Sequence, residues 1–306
     1  MACSYGGQAL IEGVMMRGKR YQAMSARLED GRIVSEVEEF TMLTDRHKFF
    51  GLPFIRGTFN MIDSLITGMK ALTWSTNVSL AEDEDEEELT PMEIALTMTV
   101  SIGLGILLFF VLPVVIAHYF QPLIPGNFLQ NLFEGVVRVL VFLLYLFLIS
   151  RMKEIRRVFQ YHGAEHKSIH CYEAGEELTP ENAMKHTRLH PRCGTSFLFI
   201  VMIISIFVFA LVGVENFAWR MASRIVLLPV IAGVSYEVLR YCGKHMDKPW
   251  VRAIAWPGMQ LQRLTTGEPD LEMLEVAIYS LQKVRAREED ETLDPQWQEN
   301  ASPTSR

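Results

Sequence analysis

The sequence lacks a recognisable cleavable signal peptide and the common nucleotide-binding motifs. Its first twenty residues contain Glu12 and three basic residues, and they have no apolar core of the length that a cleavable signal peptide needs. The segment 5–18 holds four glycines but has neither G-x-G-x-x-G nor P-loop spacing. We therefore expect no cleavable leader and no nucleotide site, and we expect segment 5–18 to form a turn-rich sheet edge.

Charge is nearly absent from four long stretches, at 94–117, 132–150, 197–214 and 225–242. Each approaches the roughly 20 residues that a helix needs to cross about 30 Å of hydrocarbon. Such a helix satisfies its own backbone hydrogen bonds, which lipid cannot do. The alternative is four buried core helices of a large soluble protein, but four such runs exceed what one core needs. The pattern predicts four transmembrane helices.

Basic residues are unevenly distributed between these stretches. Segment 151–196 holds eight Lys and Arg, segment 215–224 holds two, and segment 118–131 holds none. We therefore expect a multi-pass protein of the plasma or inner membrane. By the positive-inside rule, segment 151–196 and both termini are expected on the cytoplasmic side. Thiols there stay reduced, which favours metal binding or packing over a disulfide. All four cysteines are predicted to lie on the cytoplasmic side or at its edge: Cys3, Cys171, Cys193 and Cys242.

The expected fold is an α-helical polytopic membrane protein with about four transmembrane helices and a small cytoplasmic α+β unit at the N-terminus. Asp30-Gly31 between strand-like runs predicts a β-hairpin in that unit. Segments 53–78 and 270–289 have the apolar spacing of amphipathic helices. The expected order is an α+β unit at 1–80, an acidic linker at 81–91, two spans in 92–150, a His/Cys-rich loop at 151–196, two spans in 197–242, a cytoplasmic region at 243–289 and a disordered tail at 290–306.

Histidine is scarce outside one segment. Five of the eight histidines and two of the four cysteines lie in 161–196. This segment contains an H-x-x-E-H motif at His162, Glu165 and His166. On a helix these positions share one face, so two imidazoles can hold a metal while the carboxylate transfers protons. His170 extends the same stripe by one turn.

A second set of candidate ligands follows in the same segment, at His186, His190 and Cys193. Thr179-Pro180 predicts the start of a short helix at 180–190. Mixed nitrogen and sulfur ligands favour Zn²⁺, although another divalent metal is compatible with them. The alternative is that these histidines cap helix ends, bind lipid phosphate or form a polar surface.

The two ligand sets can meet only if the chain bends. If the helix that contains 132–150 ran on to residue 172, His162 would lie about 18 Å past Ser150, whereas His190 lies about 10 Å before Phe197. We therefore expect a bend near the basic turn at 151–157, which would place the site just under the bilayer. Glu237 is a further candidate ligand, and segment 5–18 is expected to fold beneath the loop with Glu12 or Arg17 near the site.

Four separated motifs resemble the YqhQ-like family, also called domain of unknown function 1385. They are GGQALIEGVMMRG, YHGAEHK, HPRCGTSF and PGMQLQRLTTGEPDLEMLEVAI. The family is described as predicted metal-dependent enzymes of the bacterial membrane. The resemblance implies a site at His162, Glu165, His166, His190 and Cys193.

Two functions are compatible with these features. The first is a metal-dependent membrane enzyme, most simply a hydrolase, in which His162 and His166 bind zinc with His190 or Cys193 and Glu165 acts as general base. Its substrate would be a membrane protein or a lipid, and no nucleic-acid partner is expected. The second is a transporter, assembly factor or regulatory factor in which the metal is structural or sensed. Nothing in the sequence indicates the oligomeric state.

Overall fold

The computed structural model describes residues 5–81, 90–211 and 217–289. The expected acidic linker, apart from its ends, and the expected disordered tail lie outside the described residues. The described chain is mostly helical, and it has one antiparallel sheet near the N-terminus.

The sheet has four strands in the order β1-β2-β3-β4, each antiparallel to its neighbour. The predicted hairpin is confirmed as β3 and β4, and Gly31 takes the left-handed conformation (φ 88°) that the turn requires. The glycine-rich segment supplies the other two strands. Their bounds are Gly6–Leu10 (β1), Gly13–Arg17 (β2), Tyr21–Arg27 (β3) and Ile33–Glu39 (β4).

Twelve α-helices follow the sheet in the described chain. They are Leu43–Arg46 (α1), Arg56–Leu80 (α2), Pro91–Ile106 (α3), Leu112–Tyr119 (α4), Asn127–Ile149 (α5), Lys153–Glu173 (α6), Pro180–Met184 (α7), Gly194–Ala210 (α8), Phe217–Val226 (α9), Leu228–Lys244 (α10), Pro249–Thr265 (α11) and Leu271–Glu289 (α12). A π-helical turn at Leu107–Val111 joins α3 to α4, and a 3₁₀ turn follows at Gln121–Leu123.

Both faces of the sheet are covered. Helices α6 and α12 pack on one face, where Val14, Met16 and Ala23 are buried against Leu274 and Leu281. Helix α2 covers the other face. The apolar face of α12 accounts for the periodicity at 270–289, and α6 is thereby fixed against β1 and β2.

Two helical segments are long and apolar enough to cross a membrane. They are Met92–Tyr119, which combines α3, the π-turn and α4, and Asn127–Ile149, which is α5. Among the described residues, α8 and α10 have only 17 residues each, and α10 is also the more polar of the two because it carries Glu237, Arg240 and Lys244. The structure therefore gives two candidate spans rather than the four expected.

Helices α5 and α8 pack antiparallel. A side chain at Gly135, near the start of α5, would collide with Ile206, near the end of α8. Because the two helices run in opposite directions, the end of α5 at Ile149 and the start of α8 at Gly194 lie at the same end of the pair. The His/Cys-rich segment connects those two ends.

At the other end of the pair, α5 carries a buried charged cluster. Glu134 receives a hydrogen bond from Arg138 at 2.7 Å and two from Arg224 at 3.0 Å each. Arg224 also donates to Asn131 at 2.7 Å, and Arg138 donates to the Phe109 carbonyl of the π-turn at 3.1 Å. Glu134 thus pairs with Arg138 one turn along the same helix and with Arg224 from α9.

Helix α5 ends at Ile149, and extended backbone at Met152 starts α6 as a separate helix, so the bend expected near 151–157 is present. Two other local expectations are corrected. Helix α7 ends at Met184 because the carbonyls beyond it accept side-chain hydrogen bonds from α6. Glu237 is not near the histidines, because Arg56 binds it at 2.5 and 2.7 Å.

Candidate metal centre

Helix α6 brings the H-x-x-E-H side chains to one buried face. Glu165 and His166 are buried because α6 packs on β1, β2 and α12, whereas the His162 side chain is 18% exposed. Glu165 is 4% exposed and His166 is 2% exposed. A carboxyl group and two imidazoles therefore share a site from which most water is excluded.

Cys193 completes a group of three potential ligands with the two histidines. The Nε2 of His162 lies 3.3 Å from the Sγ of Cys193, and the ligand atoms of His162, His166 and Cys193 all lie within 4.8 Å of one another. Zn–N bonds of about 2.0 Å and Zn–S bonds of about 2.3 Å place tetrahedral ligand atoms about 3.3–3.6 Å apart. The spacing fits a zinc ion after a small contraction.

Backbone carbonyls orient both imidazoles. The Nδ1 of His162 lies 2.9 Å from the Thr265 carbonyl oxygen, and the Nδ1 of His166 lies 2.5 Å from that of Arg188. A carbonyl only accepts, so each Nδ1 carries the proton and each Nε2 is left with its lone pair facing Cys193. Carbonyl partners of this kind fix the tautomer and ring orientation of metal-ligating histidines.

Glu165 lies beside the three ligand atoms. Its Oε2 is 3.5 Å from the Nε2 of His166 and 4.0 Å from the Nε2 of His162. Burial raises the pKa of the Glu165 carboxyl, and the neighbouring His162 opposes that rise. Burial also lowers the pKa of His166, which favours the neutral imidazole that a metal requires. Burial therefore makes the Glu165 carboxyl hold a proton more tightly than a solvated carboxyl does.

The N-terminus of α8 positions Cys193. Its Sγ accepts the backbone N–H of Thr195 at 3.4 Å as the helix N-cap, and a helix N-terminus favours negative charge. The preceding turn is fixed by Gln262 of α11, which is fully buried. The Gln262 amide accepts from the His190 N–H, donates to the His190 carbonyl and donates to the Ser196 hydroxyl, all at 2.8 Å.

His190 lies next to this group but faces another residue. Its Nδ1 accepts the Arg192 backbone N–H at 3.3 Å, so its Nε2 carries the proton and lies 3.6 Å from Glu173. That hydrogen bond, with help from Arg192, lowers the pKa of Glu173 to about 2. His170, Glu173 and His190 have ligand atoms within 4.8 Å of one another, but the tautomer of His190 favours the Glu173 pair over a metal.

His186 lies further away. Its Nε2 is 3.3 Å from Glu176, with which it forms a third group that includes Cys171. His170 connects the groups, because its ring stacks on that of His186 with centroids 6.5 Å apart and its Nε2 donates to the Leu189 carbonyl at 3.0 Å. The six predicted ligands therefore separate into three adjoining groups, and their metal-binding roles remain predictions.

The N-terminal segment reaches the site as backbone rather than as a charged side chain. Any side chain at Gly7 of β1 would contact the Cγ of Glu165 at 2.7 Å. Glu12 pairs instead with Arg157 and accepts from the Tyr161 hydroxyl at 3.3 Å, while Arg17 pairs with Asp63 at 2.5 Å. Glu12 and Arg17 thus fasten the sheet around the site.

Sequence reasoning did not identify four contributors to the site: Gly7, Arg188, Gln262 and Thr265. Two of these act through backbone carbonyls, which no side-chain pattern reveals. Gly7, Gln262 and Thr265 fall within motifs that carried the family resemblance, and this was the one available signal.

Comparison with known proteins confirms the family that the sequence motifs indicated. Residues 52–287 match the family described as "Protein of unknown function (DUF1385)". The chain belongs to this family. It is 36% identical over 297 residues to "Uncharacterized protein YqhQ" of Bacillus subtilis strain 168, and the alignment covers 92% of each chain. No solved structure matches the chain.

Membership of the DUF1385 family extends over most elements that build the site. The matched range begins before α2 and ends within α12, so it includes both histidines of α6, Cys193 and the supporting residues of α11. The strands β1 and β2 lie before that range, although the alignment to the Bacillus protein covers most of the chain.

Proposed function

We propose that this DUF1385 protein is a metal-dependent integral membrane hydrolase. One observation carries the proposal. Two imidazole nitrogens held in the metal-ligating tautomer and one thiol converge within 4.8 Å, and a buried carboxyl lies 3.5 Å from the nearer nitrogen. Zinc is the first choice of metal because the ligands combine nitrogen and sulfur.

The hydrolase is proposed to be a multi-pass protein of the plasma or inner membrane with cytoplasmic termini. The two long apolar helices support membrane association, and α8 and α10 are proposed as the third and fourth spans. The eight basic residues of 151–196 support a cytoplasmic position for the site. Because α5 ends and α8 begins at the site, its substrate is proposed to be a membrane protein or a lipid.

The proposed chemistry follows from the positions of the side chains. His162, His166 and Cys193 would hold the ion, which supplies a Lewis acid that polarises the scissile group. Glu165 takes a proton from the attacking water, the water oxygen adds to the scissile carbonyl or phosphoryl centre, and the proton passes to the leaving group. Burial raises the pKa of Glu165, which makes its carboxylate a stronger base than a solvated one.

Metal content of the purified full-length protein tests the shared premise. We expect about one zinc per wild-type chain and little in His166→Ala. His245→Ala is the matched control, since His245 lies at the end of α10 and bonds to the Tyr241 carbonyl. Wild-type protein that contains no metal, or His166→Ala that retains it, would contradict the premise.

Glu165→Gln then tests the reaction. The variant is screened with wild type in proteoliposomes against peptide, phosphoester and lipid ester substrates. A general base contributes about 10²–10⁴-fold, so we expect Glu165→Gln to keep its metal and lose at least about 100-fold in rate. Equal rates for the two proteins would rule out the general-base role.

The burial of Glu165 also favours a second candidate function. At 3.5 and 4.0 Å from the two nitrogens, its carboxylate is close enough to serve as a fourth ligand. A site closed by four protein ligands is structural or sensing, as in a transporter, assembly factor or regulatory factor. In that case Glu165→Gln would lower the metal affinity itself, whereas the hydrolase predicts retention of metal.

A further inference from the structure

A separate cavity of about 380 Å³ lies where the candidate span α5 ends. Its walls come from the end of α5, from α6, from the segment after α7 and from the end of α11. The lining residues used below are Ser150, Arg156, Gln160, Arg188, Arg263 and Glu268.

Positive charge predominates in this cavity. Three arginines line it against one carboxylate, Glu268. Glu268 is already occupied, because it lies 3.1 Å from the Nζ of Lys167 and 3.6 Å from the Nε of Arg188. Within the described parts of the chain, neither Arg156 nor Arg263 forms an ion pair. Two guanidinium groups therefore line the cavity without a counter-ion from this part of the protein.

The walls of the cavity are fixed before any ligand arrives. The Gly267 N–H donates to the Phe159 carbonyl at 2.6 Å, and the Gln160 side chain donates to the Glu268 carbonyl at 3.1 Å. Gly267 lies so close to Gly163 of α6 that no side chain would fit there. The backbone around the cavity is therefore fixed, and an anion would have to order only the exposed Arg156 and Arg263 side chains.

The cavity and the metal centre share a wall. Arg188 lines the cavity with its side chain, and its carbonyl orients His166. Thr266 lines the cavity next to Thr265, whose carbonyl orients His162. The cavity and the proposed reactive site therefore share Arg188 and the Thr265–Thr266 backbone.

We propose that this cavity binds a phosphate group, and that its source is the headgroup of an anionic phospholipid. Guanidinium groups match phosphate oxygens in pairs and are weakly hydrated, which suits a partly enclosed site. Ser150 ends the candidate span α5, so the cavity lies at headgroup level. The lipid source rests on the membrane location proposed above, whereas the phosphate chemistry rests on the arginines alone.

Binding to metal-free full-length protein in a non-ionic detergent tests the proposal. The probes are short-chain phosphatidylglycerol, short-chain phosphatidylcholine and inorganic phosphate, each titrated by calorimetry. The test variant is Arg156→Gln/Arg263→Gln, and the control is Arg252→Gln, an exposed arginine of α11 outside the cavity lining. Thermal unfolding confirms that each variant is folded.

We expect wild type and Arg252→Gln to bind phosphatidylglycerol alike, and the double variant to bind at least about tenfold more weakly. Tighter binding of phosphatidylglycerol than of inorganic phosphate supports the lipid source, whereas equal binding supports the phosphate site with a soluble ligand. The proposal would be overturned if wild type showed saturable binding of neither phosphatidylglycerol nor inorganic phosphate. It would also be overturned if the double variant bound phosphatidylglycerol as tightly as wild type does. The measurement needs neither bound metal nor enzymatic activity. Its result therefore stays informative even if the hydrolase proposal fails.

Discussion

The Nε2 of His162 lies 3.3 Å from the Sγ of Cys193, although 31 residues separate them in the chain. At this distance the thiol and the imidazole either share a hydrogen bond or share a metal. The two cases differ in what a serine at position 193 would do, because a hydroxyl keeps the hydrogen bond but is a poor ligand for zinc.

Cys193→Ser should therefore weaken zinc binding by more than about 100-fold with little change in the unfolding temperature of the metal-free protein. Competition with a chromogenic chelator measures the affinity. Cys242→Ser is the matched control, because Cys242 is equally buried but lies on α10 among Val251 and Ala255. Equal zinc affinity for wild type and Cys193→Ser would exclude the thiol as a ligand.

Gly163→Ala should disturb the metal centre without changing a ligand. The new methyl group would collide with the Gly267 carbonyl and push the end of α11 away from α6. The Thr265 carbonyl that orients His162 would move with it, and we expect about 10–100-fold weaker metal binding. At Gly194, beside Cys193, no atom lies within 4 Å of an added methyl group, so Gly194→Ala should bind metal like wild type.

Gln262→Leu should destabilise the protein strongly, although the two side chains are similar in size. The substitution removes the partners of the His190 N–H and carbonyl in a fully buried position. Each unsatisfied buried group costs about 1–3 kcal/mol, so the unfolding temperature should fall by several degrees. Gln260→Leu on the same helix is half-buried and should have little effect. A similar unfolding temperature for both variants would show that the Gln262 bonds are dispensable.

Glu134→Ala should also destabilise the protein, for an electrostatic reason. It removes the carboxylate that both Arg138 and Arg224 contact in a buried cluster. Breaking a buried pair in this way costs about 3–5 kcal/mol. The exposed Arg285–Glu289 pair provides the comparison, because Glu289→Ala should change the free energy of unfolding by less than about 0.5 kcal/mol.

The Glu173 carboxyl should make stability depend on acid pH. Its pKa is lowered from 4.5 to about 2 by His190 and Arg192, so the folded state releases this proton more readily than the unfolded state. Its contribution is complete above about pH 4.5 and is lost as the pH falls towards 2. Because Glu173 is more than one-third exposed, the contribution is below about 1 kcal/mol.

We expect the difference in unfolding temperature between wild type and Glu173→Gln to be larger at pH 6 than at pH 3. Glu181→Gln, an exposed position on α7, should give no such dependence. A difference that grows as the pH falls would contradict the assigned direction.

Local signals in the sequence predicted several elements of the fold. Asp30-Gly31 identified the hairpin, because a tight turn needs a residue that accepts positive φ. Thr179-Pro180 identified the start of α7, where the Thr179 side chain accepts the Asn182 N–H as the helix N-cap. The H-x-x-E-H spacing placed His162, Glu165 and His166 on one face because helical geometry alone determines it.

Contacts between distant segments could not be predicted in the same way. Nothing in the spacing of His190 and Cys193 shows which of them joins the α6 histidines, because that choice depends on the turn held by Gln262. Arg224 lies 90 residues from Glu134, and the sequence indicated only a loop position for it. The first relationship arises when α6, α8 and α11 pack together and the second when α9 meets α5, and such packing has no periodic signature.

The division of the metal centre among α6, α8 and α11 has a consequence for how the protein is made. Both histidines leave the ribosome well before Thr265 and Gln262, which hold His162 and the Cys193 turn in place. A nascent chain that ends before α11 would carry every ligand but lack this support. The candidate centre therefore acquires its final geometry only after α11 has docked, and on the proposed function metal would load late in assembly.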